Sequence, residues 1–292
     1  MSDSFHIQPT LPAAQFRPGD KQVEAAMVYP TGYTAPVRIL FATGNAHKVE
    51  EVGAFLTEAG LHVELSAQDT QVEETGHTFL ENARLKAEAL RLQLAMQPSV
   101  SVPTSPVDYI LAEDSGLVVP VLSGLAGLHD FPGVRSNRWL TSDWMQQLTG
   151  SPLQGDQPSY QELNQALLAL MHAAEARHAH EPYTVWRRAA FVCAMVLLPV
   201  SNHPGSNYTT LAPTGLQVEG HMPLVISTHG PSGSGGFGYD PVVHAVVDGH
   251  LDSRTVAEWS TAEKNQHSHR SHALRQVAAW LREHHPTGQF RT

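Results

Sequence analysis

A short apolar run followed at once by two carboxylates constrains the fold of this chain more than any other feature. Residues 107–112 read Val-Asp-Tyr-Ile-Leu-Ala, a pattern that predicts a buried β-strand, and the sequence Glu-Asp-Ser-Gly follows directly. Open α/β sheets bind ligands at the carboxyl ends of their strands. The pattern therefore predicts that Glu113 and Asp114 lie at such an end. An exposed Asp-Ser-Gly turn is the alternative interpretation of the same residues.

A second strand is predicted over residues 37–42, and it runs into Thr43-Gly-Asn-Ala-His-Lys48. Apolar residues at three-and-four spacing then predict a helix that ends near Gly60. A strand, a glycine-containing turn and a helix N-terminus form a common anion-binding arrangement, to which Lys48 adds positive charge. The segment lacks the second glycine and the Lys-Ser/Thr pair of a Walker loop, so an ordinary strand-to-helix turn remains the alternative.

A third segment predicts an amphipathic helix over residues 79–94, with Lys86 at the edge of its apolar stripe. Either this lysine extends to solvent, or the helix edge borders a cleft whose ligand is anionic. Glu73 and Glu74 precede the helix, where its dipole favours acidic residues. Together with the acidic pair at 113–114, they could instead complete an oxygen-rich Mg2+ site.

Composition excludes several classes of protein. The chain of 292 residues is 41% hydrophobic, enough for a large core, and its formal charge of −10 argues against a nucleic-acid partner. Cys193 is the single cysteine, so no intrachain disulfide forms and a reducing cytoplasm is expected. The apolar run at 189–200 is shorter than the roughly 20 residues of a membrane span, so no membrane partner is expected. Residues 1–36 lack periodicity and predict a poorly structured extension.

The C-terminal part contains a glycine-rich loop and two predicted helix starts. The loop at 230–241 includes Phe237, an aromatic residue able to stack on a nucleobase, although one core aromatic in a hairpin loop is the alternative. Glycine spacing near 215–228 predicts a pair of strands. Ser260 begins a capping box that presents Lys264, and the next helix starts with His269 and Arg270, where an arginine opposes the dipole unless it binds a partner.

Five segments in this order resemble the inosine triphosphate pyrophosphatase family, also called the Ham1-like family. They are Phe41-Ala-Thr-Gly-Asn-Ala-His-Lys48, Glu73-Glu-Thr-Gly-His-Thr-Phe79 with Glu81-Asn-Ala83 and Lys86, Ala112-Glu-Asp-Ser-Gly-Leu117, Gly235-Gly-Phe-Gly-Tyr-Asp-Pro241, and Glu263-Lys-Asn265 with Ser268-His-Arg270. The resemblance covers about residues 37–283.

The resemblance implies a role for each matching position. Asp114 corresponds to the general base and a metal ligand, Glu74 to the second acidic ligand of Mg2+, and Ser115 to a substrate contact. Lys264 corresponds to a nucleotide-binding lysine, and His269 with Arg270 to the pair that reads the purine. The implied triphosphate contacts are Thr43, Gly44, Asn45, Ala46, His47, Lys48 and Lys86, and the implied base-facing loop is Phe237, Gly238, Tyr239 and Asp240.

The resemblance also implies an α/β fold, an elongated mixed sheet flanked by helices, with two lobes and a nucleotide cleft between them. One catalytic domain over 37–292 is expected, with inserted loops near 95–107, 141–160, 174–183 and 201–212, and family members are commonly homodimers. The implied activity is Mg2+-dependent hydrolysis of ITP, dITP and XTP to the monophosphate and pyrophosphate. The alternatives are a Maf-like pyrimidine nucleotide pyrophosphatase and a catalytically silent nucleotide-binding protein.

Overall fold

Seven strands in the described part of the chain form one mixed sheet in the order β2-β1-β3-β4-β5-β6-β7. The strands β2, β1 and β3 run parallel to one another, and every later pair is antiparallel. The strands are β1 (Val37–Ala42), β2 (Val63–Gln68), β3 (Tyr109–Val118), β4 (Arg188–Pro199), β5 (Leu216–Ile226), β6 (Val243–Val247) and β7 (His250–Thr255). This topology confirms the expected α/β class with a mixed sheet.

The helices of the same residues include the ones that periodicity predicts. They are α1 (Ala46–Glu58), α2 (Phe79–Met96), α3 (Ser142–Thr149), α4 (Tyr160–Glu175), α5 (Tyr183–Trp186), α6 (Thr261–His267) and α7 (His269–His284). The predicted capping box at Ser260 is present, and the Ser268 hydroxyl accepts a hydrogen bond from the Ser271 amide in the first turn of α7. Across the described residues, no helix is long and apolar enough to cross a membrane.

The computed structural model describes residues 36–96, 107–200, 215–236 and 238–284. Residues 1–35 of the predicted extension, the loop at 201–212, most of the loop at 95–107, and Phe237 of the implied base-facing loop lie outside them. The domain boundary at residue 36 therefore stays a prediction.

Helices cover both faces of the sheet. Side chains that alternate along each buried strand pack against the helices on both sides. Ile110 and Ala112 of β3 pack towards α2, whereas Tyr109 and Leu111 pack in a second cluster with residues of α1 and α7. Gly220 of β5 lets α7 approach closely, since a Cβ there would meet the backbone oxygen of His269 at 2.0 Å. The acidic pair that follows Ala112 thus lies between α2 on one face and α1 with α7 on the other.

Three sequence predictions are corrected by the fold. The predicted strand at 107–112 runs on to Val118, so Glu113 and Asp114 lie inside β3, because β4 offers an antiparallel partner to all of its residues. The predicted strand pair near 215–228 is the single strand β5, whose internal glycine serves helix packing rather than a turn. The predicted loop at 141–160 contains α3, which Thr141 caps through the Trp144 amide.

Candidate active site

The candidate site lies where β1 stops short of β3. Pairing between these strands ends at Phe41 opposite Leu111, and no other described strand covers the same edge of β3 beyond that point. A cavity of about 560 Å³ opens there. It is named the carboxylate cavity here, and its polar lining includes Asn45, His47, Lys48, Glu51, Glu74, Lys86, Asp114, Ser115, Ser136, Asn137, Arg138, Tyr160, Tyr239, Asp240, His269 and Arg270.

Asp114 faces α2 and the segment before it. Its Oδ2 accepts a hydrogen bond from Asn82 Nδ2 at 2.9 Å, and its Oδ1 lies 3.6 Å from Lys86 Nζ. The same ammonium group contacts Glu74 Oε1 at 2.9 Å, so two carboxylates share one lysine. Burial raises the pKa of Asp114, and Lys86 only partly opposes this effect. A carboxylate with an elevated proton affinity has the property that a general base needs.

Glu113 points to the opposite face and is 2% exposed. Arg270 donates from Nε and Nη2 to its two oxygens at 2.8 and 3.2 Å, and Lys48 Nζ lies 2.8 Å from Oε1. Burial disfavours this carboxylate, but the two cations outweigh burial and hold its pKa well below the usual value. Glu113 is a fully paired ion beneath the cavity rather than part of its lining.

Arg270 and His269 lie at the start of α7, as the sequence predicts. Arg270 Nη1 also donates to Glu51 Oε2 at 2.7 Å, so carboxylates occupy three of its five N–H donors. This explains an arginine in a first helical turn, where it would otherwise be unfavourable. Burial and the neighbouring Arg270 lower the pKa of His269 to about 3, so its imidazole is neutral at neutral pH. Its Nδ1 is buried without a hydrogen-bond partner among the described residues.

An adjoining cavity of about 550 Å³ is named the Lys264 cavity here. Lys264 Nζ contacts Asp240 Oδ2 at 2.9 Å, and the cavity wall also includes Asn265 and Ser268. It shares six lining residues with the carboxylate cavity: His47, Glu51, Phe191, Asp240, His269 and Arg270. The two cavities therefore adjoin, with Asp114, Glu74 and Lys86 in the lining of one and Lys264 in the lining of the other.

Fewer residues at the N-terminus of α1 line the carboxylate cavity than the sequence predicts. Asn45 caps the helix, because its side-chain oxygen accepts from the amides of His47 and Lys48. These three residues line the carboxylate cavity, whereas Thr43, Gly44 and Ala46 are not among its described lining residues.

Tyr239 also differs from an exposed substrate contact. It is 3% exposed, and its hydroxyl accepts from Trp139 Nε1 at 2.8 Å and donates to the Ser136 carbonyl at 2.5 Å. Burial raises the pKa of this phenol. Its side chain thus joins the loop before Asp240 to the segment at 133–139. Gly116 permits this packing, since a Cβ there would meet Ser136 Oγ at 2.3 Å.

Several site residues were not singled out by sequence reasoning. Asn82 is fully buried and bridges Asp114 and Gly76. It donates from Nδ2 to Asp114, and its Oδ1 accepts a hydrogen bond from the Gly76 backbone amide at 2.8 Å. Its signal is a polar residue on the apolar stripe of α2, three positions after Phe79. Glu51 and Tyr160 carry no comparable local signal.

The donor set at Asp114 and Glu74 fits Mg2+. Both side chains offer oxygen ligands, and both already converge on one cation, the ammonium group of Lys86. Within the described residues, no three His, Cys, Asp or Glu side chains gather as a metal site. Mg2+ is usually bound by one or two carboxylates together with water and substrate phosphates, so a pair is sufficient.

These features define a class of protein: an α/β fold whose sheet-edge cleft combines carboxylates with ammonium groups, the arrangement needed to neutralise and attack a polyphosphate. The model of the Ham1 family matches residues 39–280, so the chain belongs to the Ham1 family. This confirms the resemblance carried by the five motifs and removes the Maf-like alternative.

Comparisons with individual relatives support the same family assignment. The chain is 35% identical over 253 residues to the dITP/XTP pyrophosphatase of Streptomyces coelicolor, a match that covers 84% of this chain and 98% of the relative. It is 33% identical over 248 residues to the dITP/XTP pyrophosphatase of Escherichia coli K12, with the same coverage of 84% and 98%. Among solved structures, a HAM1 protein from Coxiella burnetii aligns with a TM-score of 0.58 at 29% identity, covering 85% of this chain and 99% of that one.

Proposed function

We propose that this protein hydrolyses ITP, dITP and XTP between the α- and β-phosphates, releasing a nucleoside monophosphate and pyrophosphate. One observation carries the proposal: Asp114, with a raised pKa, lies beside Lys86 and Glu74 in the cavity that Lys48 also lines. Family membership and the names of the relatives support the same reaction.

The side chains of this chain divide the work. Lys86 and Lys48 neutralise the triphosphate and stabilise the charge that develops on its oxygens. Asp114 accepts a proton from the attacking water, while Asn82 fixes its carboxylate through Oδ2. Glu74 and Asp114 would hold Mg2+, which would neutralise phosphate charge and lower the pKa of bound water. The joint presence of Glu74, Lys86 and Asp114 favours an enzyme over a silent binding protein.

In this proposal, residues that line the Lys264 cavity discriminate among nucleobases. Two N–H donors of Arg270 remain beyond the three that bind Glu113 and Glu51, and they suit the O6 acceptor of hypoxanthine or xanthine. Adenine presents an amino donor at that position, which a donor-only guanidinium cannot bind. His269, neutral at physiological pH, adds one acceptor or donor beside it.

A homodimer in a reducing cytoplasm completes the proposal. The family resemblance supports the dimer, and the free, buried Cys193 supports the reducing compartment. Light scattering during size-exclusion chromatography tests the dimer, since a monomeric mass would reject it.

Pyrophosphate release from ITP, XTP, GTP, ATP and UTP, each with Mg2+ and again with EDTA, tests the activity. We expect ITP and XTP to be the best substrates and EDTA to abolish turnover. The matched control is Asp114→Asn, prepared in parallel to exclude a contaminating pyrophosphatase. ATP or UTP as the best substrate, or orthophosphate as the first product, would reject the proposal.

A further inference from the structure

Tyr160 places an aromatic side chain in the carboxylate cavity that none of the five family-like segments includes. It is the first residue of α4, is 46% exposed, and lines the cavity together with Lys48, Lys86 and Asp114. A large, half-exposed phenol inside a cleft is available to a ligand. Within the described residues its hydroxyl makes no hydrogen bond, which distinguishes it from the buried phenol of Tyr239.

Hydrogen bonds fix the backbone at the start of α4, where Tyr160 lies. Ser159 caps the helix through the Glu162 amide, and Glu162 accepts from the backbone amides of Ser159 and Gln154, each at 2.8 Å. One turn later, Asn164 donates from Nδ2 to the Gly238 carbonyl at 3.1 Å. This bond ties the same face of α4 to the loop at 238–240.

Its place within the cleft indicates which part of a nucleotide it meets. Tyr160 lines the carboxylate cavity but is not among the described residues around Lys264, Asn265 and Ser268. The side of the cleft with Lys86 and the carboxylates suits phosphates and the adjoining sugar, whereas the Lys264 side suits the base. We infer that Tyr160 is a substrate-contacting residue whose hydroxyl donates a hydrogen bond to the sugar–triphosphate part of the nucleotide, independently of the base. This inference rests on the proposed function for the identity of the substrate.

The test is Tyr160→Phe, which keeps the ring and removes only the hydroxyl. Loss of one hydrogen bond predicts a rise in KM of roughly 3- to 10-fold with little change in kcat. The rise is expected to be the same factor for ITP, XTP and GTP. Tyr160→Ala, which also removes the ring, raises KM further.

The matched control is Tyr183→Phe. Tyr183 is likewise the first residue of a helix and is 48% exposed, but it does not line either cavity. Its substitution leaves KM and kcat unchanged, and melting temperatures of all variants check the fold.

Binding of ITP measured by calorimetry in EDTA separates this inference from the proposed reaction, because no turnover is needed. A weaker Kd for Tyr160→Phe supports the contact even if the wild type releases no pyrophosphate, an outcome that would reject only the reaction. An unchanged Kd and KM overturn the inference. So does an effect confined to one base, or a fall in kcat with KM unchanged.

Discussion

Glu113 and Asp114 are adjacent in sequence and occupy opposite electrostatic environments. Two cations bind Glu113 on the face covered by α1 and α7, and its pKa is held well below the usual value. On the other face Asp114 shares Lys86 with Glu74, and burial raises its pKa. The alternation of side chains along β3 separates the pair, since neighbouring residues of a strand point to opposite faces.

The difference shows how one dipeptide can supply both structure and chemistry. Charges balance on the Glu113 side, where Glu113 and Glu51 meet Lys48 and Arg270. Such a cluster orients its cations but has no unsatisfied demand for a proton or a metal. On the Asp114 side, Lys86 and Arg138 pair with Glu74, but the contact between Asp114 and Lys86 is longer, at 3.6 Å. Burial therefore outweighs the neighbouring cations and raises the pKa of Asp114, which suits a proton acceptor, and its oxygens with those of Glu74 suit an added Mg2+. Breaking each side separately tests this division.

The largest effect is expected from Glu113→Gln. The change leaves Arg270, 3% exposed, with one remaining carboxylate partner, and removing one partner of a buried ion pair costs about 3–5 kcal/mol. For a chain of this size the melting temperature should fall by about 6–20 °C. Calorimetry or circular dichroism measures it.

Glu64→Gln is the matched control for that variant, because Glu64 binds Arg38 at 3.1 Å on the surface. Exposed pairs contribute about 0–1 kcal/mol, so the control should melt close to the wild type. Equal melting temperatures for the two variants would show that Glu113 is not a structural ion.

Asp114→Asn should lower activity without lowering stability, whereas Glu113→Gln is expected to lower stability. Turnover of ITP should fall by at least about 10²-fold, the low end for lost acid–base catalysis. Because burial disfavours the Asp114 charge, the melting temperature should stay equal or rise. Steady-state kinetics and thermal melts on the same preparation measure both, with the exposed Asp156→Asn as control. Near wild-type turnover would remove Asp114 from the role of general base.

Arg270 binds Glu113 and also lines the cavity that contains Asp114, so Arg270→Ala tests both sides of the comparison. An unmet hydrogen-bond group costs about 1–3 kcal/mol, so the preference for ITP over ATP should narrow by roughly 10- to 100-fold. Arg270→Lys keeps a charge for Glu113 but loses the planar fork, so it should retain more stability than the alanine variant while losing discrimination. The ratio of kcat/KM for the two nucleotides decides, and an unchanged ratio would remove Arg270 from base recognition.

The smallest effect is expected from deleting residues 1–34, which carry none of the phosphate, metal or base contacts named above. The truncated protein should show unchanged kcat and KM for ITP. A folded but inactive truncation would mean that the extension completes the site.

The sequence predicted those strands and helices whose signals lie within a short stretch of neighbouring residues. The strand β1 and the helices α1, α2 and α7 follow from apolar periodicity and caps, and the structure confirms them. The full length of β3 escaped prediction because it depends on pairing with β4, far along the chain.

Contacts at the site show the same limit. Arg270 lies 157 positions from Glu113, so its pairing leaves no local trace except an arginine in an unfavourable helical position. Asn82 was predictable in principle from its place on an apolar stripe, whereas Tyr160 was not. The identity of the site residues came mainly from the five motifs.

The most direct test of the split between the two carboxylates is a titration of their 13C carboxyl shifts by NMR, assigned with Asp114→Asn and Glu113→Gln. Glu113 should remain ionised as the pH falls below 4.5, the ordinary value for glutamate, and Asp114 should take up its proton above 3.8, the ordinary value for aspartate. If Glu113 protonates at or above its ordinary pKa while Asp114 titrates at or below its own, the two carboxylates do not occupy opposite electrostatic environments, and the division of roles is contradicted.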